Sequence, residues 1–127
     1  MFEAALKVEN DRGKSICEAL NQILADTVAA TMLAQNYHWN VAGMNFVPLH
    51  TLFQEIYEDH FAAQDDLAER IKAIGGHAEA TLSSIVSRTS VREHSGRAND
   101  IVMVEHLADT QEALAATLTA SASRAAK

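Results

Sequence analysis

The sequence predicts an all-α fold, a single bundle of long helices. Only one Pro (Pro48) and five Gly interrupt the 127 residues, and 48% of the chain is hydrophobic. Ala, Leu and Glu are frequent, and these are good helix formers. Apolar residues also recur at three- and four-residue steps over long stretches, the period of a helix with one buried face. A chain of this length and apolar content makes one domain with its own core.

The elements follow in order. Residues 1–12 are a short, mixed-charge lead-in, and the remainder, 13–127, forms the domain. From about Gly13 to Trp39, the residues Ile16, Leu20, Ile23, Leu24, Val28 and Met32 mark the buried stripe of a first helix, which ends near Asn40, ahead of Gly43. Residues 41–47 form a loop, and Pro48 fits the first turn of a second helix. That helix runs to about Ile74, with Leu49, Leu52, Phe53, Ile56, Leu67, Ile71 and Ile74 facing inward, and Gly75-Gly76 stops it. A short helix within 79–87 sits in a connection, and Ser90 to Asn99 is a polar loop. Asn99 or Asp100 caps a third long helix with Ile101, Val104, Leu107, Leu114 and Leu118 on its inner face. Closed bundles more often have four long helices. The chain ends in Ser-Ala-Ser-Arg-Ala-Ala-Lys with no helix terminator, which reads as a truncation.

Composition excludes several classes of function. Cys17 is the single cysteine, so no internal disulfide forms, and a reducing, cytoplasmic setting is expected. No run approaches the roughly 20 apolar residues of a membrane span, and the N-terminus lacks the pattern of a signal peptide. The net charge of −7 opposes attraction to nucleic acid and suits a protein that gathers cations.

Four side chains carry the chemistry. His38 and His50 stand twelve residues apart, and Asp65 and Glu69 follow at an i, i+4 spacing that puts both carboxylates on one helical face. Imidazole nitrogen and carboxylate oxygen together suit iron, manganese or zinc. On one helix, His50 and Asp65 are separated by about 22 Å of axial rise. Ligands of one ion lie only about 4 Å apart, so the two cannot share a metal within one chain. An antiparallel two-fold pairing of the second helix would set His50 beside a partner's Asp65 and Glu69, making two equivalent sites per dimer.

Each of these signals has an ordinary reading. A single helical His is more often a surface or satisfied core residue, and a D-x-x-x-E pair is more often a solvated face, with Arg70 and Lys72 at hand for Glu69. Tyr37 and Trp39 read as core or interface. His60, His77, His94 and His106 are assigned no role. The weight rests on the joint order of the four ligands. No E-x-x-H pair occurs, which argues against a di-iron site inside one bundle of the bacterioferritin or rubrerythrin kind. A zinc hydrolase would need an open cleft. The alternative to a metal enzyme is a non-catalytic helical DNA-binding or interaction protein with a vestigial site.

The joint order resembles the Dps family, the ferritin-like mini-ferritins that protect DNA in starved bacteria. The matching text runs Asn36-Tyr37-His38-Trp39-Asn40-Val41-Ala42-Gly43-Met44-Asn45-Phe46, then Leu49-His50, then Asp65-Asp66-Leu67-Ala68-Glu69-Arg70-Ile71 and Gly75-Gly76. The resemblance implies a dodecameric shell of two-fold dimers with ferroxidase sites between subunits. His38 and His50 would come from one subunit and Asp65 and Glu69 from the other, with Glu69 central. Ferrous iron would be oxidised there, preferably by hydrogen peroxide, and stored as ferric mineral; zinc is a substitute occupant. Trp39 corresponds to an aromatic neighbour that quenches stray oxidising equivalents. Three departures stand out. Gln54 occupies a position that is acidic in many members, sixteen residues after His38, and Asp66 lies about 100° around the helix from Asp65. The family's fourth long helix is not present in this chain. The lead-in is neutral, with Lys7, Arg12 and Lys14 against Glu3, Glu9 and Asp11, so weak or absent DNA binding is expected.

Overall fold

A computed structural model describes residues 11–94 and 97–125. It contains α1 (Asp11–Asn40), α2 (Phe46–Ala73), α3 (Leu82–Arg88) and α4 (Asp100–Ala125), with no strand among the described residues. The expected all-α architecture of three long helices and one short one is therefore present. α1 begins two residues ahead of the expected Gly13, so Asp11 and Arg12 join the helix; the rest of the lead-in lies outside the described residues. Asp11 in the first turn complements the helix dipole.

α1 packs against each of the other three helices. α2 runs antiparallel to it, and Tyr37 meets Phe53 near one end while Gln64 donates to Thr31 further down, at 2.8 Å. α4 is also antiparallel to α1, so α2 and α4 are parallel and the chain between them must travel back along the bundle. A core of Leu33, Ala34, Tyr37, Val41, Phe53, Met103 and Leu107 joins α1, α2 and α4 at the end of the bundle where α1 stops.

Local chemistry fixes the turns. Gly75 has φ +89°, and its N–H bonds to the Lys72 carbonyl while that of Gly76 bonds to Ile71. This is a Schellman stop, where the left-handed position favours glycine. Gly76 is needed for space: an added Cβ would lie 2.4 Å from Cys17 Sγ. At the other end of the connection, the Asn99 side chain accepts from the Val102 N–H at 2.9 Å and opens α4.

The connection itself is held by polar side chains of α1. Asn21 donates to the His77 carbonyl and accepts from the Glu79 N–H, Gln22 donates to the Arg88 carbonyl, and Asp26 receives Thr89 Oγ1, Ser90 N and Ser90 Oγ. Asp26 is 1% exposed, so its charge is sustained by these donors. Ile85 is the buried residue of α3, while Leu82 and Val86 face outward.

Two expected inner faces are corrected. α4 buries Met103, Leu107, Thr110, Leu114 and Ser121, whereas Ile101, Val104 and Leu118 are exposed. The helix carries two apolar stripes, and α1 takes the one that starts at Met103. Met32 of α1 and Leu52 of α2 are likewise exposed, because each lies beside the helical face that meets α1's or α2's neighbours.

Replacing Asp26 by Ala strips the donors of Thr89 and Ser90 of their shared acceptor. A loss of about 2–3 kcal/mol is expected in urea unfolding. Gly76→Ala is expected to destabilise by about 1–3 kcal/mol, with partial recovery in the Cys17→Ala, Gly76→Ala double variant.

Candidate metal centre

The site is built where α1 ends and α2 begins. The turn between them needs Gly43, whose φ is +98°; the Val41 N–H closes on the Tyr37 carbonyl and the Phe46 N–H on that of Gly43. This reversal lays the last turn of α1 against the first turns of α2 and brings His38 onto His50. Their rings stack at 3.7 Å with 20° between planes. Phe46 stacks on the other side of His50 at 4.7 Å, and Tyr57 meets His38 edge-on at 5.3 Å.

The two histidines exchange hydrogen bonds. His38 Nδ1 lies 2.7 Å from the His50 carbonyl, and His50 Nδ1 lies 2.8 Å from the His38 carbonyl. A carbonyl oxygen can only accept, so each Nδ1 must carry the proton and donate. Each neutral ring then keeps its lone pair on Nε2. That is the tautomer metal-binding histidines adopt when a backbone carbonyl orients them. His38 is buried and His50 half-buried, so the pair is sheltered and pre-oriented.

Asp65 and Glu69 share one face of α2 but sit far from this pair. Both are exposed, and neither has a hydrogen-bond or ion-pair partner among the described residues. The rise from His50 to Asp65 is about 22 Å. Among the described residues no group of three or more His, Cys, Asp or Glu comes together to hold a metal. The structure therefore brings His38 to His50 and leaves the carboxylates apart, as two half-sites on one chain. Gln54 points its amide at Glu58, 3.4 Å away. Trp39 is 65% exposed, which removes it from the core.

Sequence reasoning missed one polar pair. Tyr37 is buried, and its hydroxyl meets His106 Nδ1 at 2.5 Å. Burial pushes the Tyr37 phenol up from its ordinary value, so the phenol stays protonated and donates. The residues are 69 apart in sequence, and no local spacing signals their contact. Burial and the neighbouring Glu18 also raise the Cys17 thiol, which keeps it uncharged.

Comparison with known proteins follows this geometry. Residues 17–127 match the family model described as the ferritin-like domain. The structure aligns with a Dps protein from Bacillus brevis at a TM-score of 0.89 and 31% identity, covering 92% of this chain and 78% of that one. The chain belongs to the Dps family. A Dps protein from Vibrio cholerae O1, titled a member of a broad superfamily of ferritin-like diiron-carboxylate proteins, aligns at a TM-score of 0.86 and 28% identity over 91% of this chain and 72% of that one. The "DNA protection during starvation protein" of Helicobacter pylori is 41% identical over 78 residues, 61% of this chain and 54% of that relative. This Dps chain thus spans about half the length of the first curated relatives it matches. No helix among the described residues is long and apolar enough to cross a membrane.

Gly43→Ala isolates the role of the turn. An added Cβ meets nothing within 4 Å, yet φ is +98°, so the cost is backbone strain alone. About 1–2 kcal/mol of lost stability is expected in denaturant unfolding.

Proposed function

We propose that this Dps chain is a ferroxidase and iron store that oxidises ferrous iron, preferably with hydrogen peroxide, at sites shared between two-fold-related subunits. The observation that carries the reading is the His38–His50 pair, with both Nδ1 atoms occupied by carbonyls and both Nε2 lone pairs left for a ligand. The unpartnered Asp65 and Glu69 support it as the complementary half. In an antiparallel pairing of α2, His38 and His50 of one subunit hold ferrous iron with Asp65 and Glu69 of the partner subunit. Glu69 is the central carboxylate that bridges two ions.

The chemistry is a two-electron reduction shared by two ions. Each ferrous ion gives one electron; hydrogen peroxide takes both with two protons and leaves as water. Carboxylate oxygens are hard donors that favour the ferric product. Neutral imidazoles add no charge, so the ion's own charge is balanced by the carboxylates. Iron here is substrate and cargo, and zinc competes for the same ligands. The ferric product collects inside an oligomeric shell, a dodecamer of such dimers. Protection of DNA is chemical, through removal of iron and peroxide, because the net charge of −7 disfavours coating DNA. Trp39, next to His38, quenches oxidising equivalents that escape. A cytoplasmic location fits the unpaired Cys17.

Two outcomes test the site. Peroxide added to anaerobically iron-loaded protein is expected to oxidise about two ferrous ions per peroxide, the ratio set by its two-electron reduction; one-to-one oxidation with radical release contradicts the reading. Mixing a His38→Ala, His50→Ala chain with an Asp65→Ala, Glu69→Ala chain is expected to regenerate intact sites. Each parent should oxidise iron about tenfold or more slowly, and recovery on mixing marks a site made in trans. Two folded parents that never complement contradict the shared site.

A further inference from the structure

The Tyr37–His106 hydrogen bond lies beside the proposed iron site but plays no part in holding iron. Tyr37 is one peptide link from His38. Its ring is 3% exposed, packed on Phe53 at 6.0 Å and edge-on to His106 at 5.9 Å. The phenol O–H donates to His106 Nδ1, which places the imidazole proton on Nε2. A phenol that loses an electron becomes a strong acid, so its oxidation is eased when a base already holds its proton.

Other aromatic groups near His38 lack that feature. Tyr57 meets the His38 ring at 5.3 Å, but its hydroxyl has no hydrogen-bond partner among the described residues. Trp39 is 65% exposed and presents only a donor N–H. His106, in contrast, is set for a proton. Its backbone carbonyl is bound by Thr110 Oγ1 at 2.8 Å, and its ring lines a hollow of about 270 Å³ with Asp109 and Arg92. The carboxylate of Asp109 favours an imidazolium there, and the hollow opens to solvent.

We propose that Tyr37 and His106 form a proton-coupled one-electron relay that serves the iron site, an inference that rests on the ferroxidase reading. One ferrous ion supplies one electron, whereas hydrogen peroxide needs two electrons and two protons to become two waters. Tyr37 supplies the second electron. The ion becomes ferric, the phenol becomes a neutral phenoxyl radical, its proton moves to His106 Nδ1, and two solvent protons complete the waters. A second ferrous ion later returns an electron to the phenoxyl, and His106 returns the proton. The relay lets a singly loaded site reduce peroxide without releasing hydroxyl radical.

Rapid-freeze electron paramagnetic resonance tests this on the assembled protein, loaded with one ferrous ion per site and mixed with hydrogen peroxide. A tyrosyl signal is expected, narrowed by ring-deuterated tyrosine. It should fall about tenfold or more in Tyr37→Phe, and similarly in His106→Asn, whose amide oxygen accepts the phenol's hydrogen bond but cannot take its proton. A signal of unchanged strength in either variant, or an indole radical alone, overturns the relay. Circular dichroism and assembly size confirm that each variant is folded. Ferrous binding in the same wild-type samples separates the two readings, since its absence contradicts the ferroxidase site. In that case a photogenerated one-electron oxidant applied to iron-free protein in a Trp39→Phe background decides the relay. Loss of the tyrosyl signal in Tyr37→Phe supports it there, and persistence overturns it.

Discussion

A rigid helix fixes the distance between two parts of one site. α2 runs unbroken from Phe46 to Ala73, so His50 and Asp65 remain about 22 Å apart whatever the side chains do. No rotamer change closes such a gap. The chain can hold an imidazole pair at one place and a carboxylate pair at another, and a complete ligand set requires a second chain. Assembly is thereby built into the chemistry: a dissociated subunit has only half of what it needs.

The remaining architecture protects the geometry of the first half. The Gly43 turn presses the end of α1 onto the start of α2, and the two histidines then bond through each other's backbone. Each imidazole is thus oriented by the helix that carries the other. The core around Tyr37, Phe53, Met103 and Leu107 lies directly beneath, so the packing that stabilises the bundle also holds the site. At the far end, Asn21, Gln22 and Asp26 of α1 tie down the connection that returns the chain to begin α4. Without it, α4 would not reach the end of the bundle where Met103 and His106 meet Tyr37.

Much of this was legible in the sequence because it is local. Helix ends follow Gly43, Gly75-Gly76 and Asn99, residues whose backbone or capping preferences act within a turn. The order of His38, His50, Asp65 and Glu69 along the chain, with helical rise, was enough to divide the ligands into two sets. What the sequence did not reveal depends on tertiary register. α4 carries two apolar stripes of similar strength, and only contact with α1 decides that Met103 goes inside while Ile101 and Val104 stay out. Reciprocal bonding of the histidines needs the turn's actual path. Tyr37 and His106 are joined across helices, and nothing in the spacing of either residue marks the other. Trp39 read equally as core or interface until its 65% exposure removed the first.

The most direct measurement is ferrous iron bound per chain, determined anaerobically across a dilution series that carries the protein from assembled to dissociated. Tight binding is expected to disappear in step with dissociation, because each free subunit keeps its imidazoles and its carboxylates apart. Tight binding that persists undiminished in the isolated, folded subunit would contradict a site shared between chains.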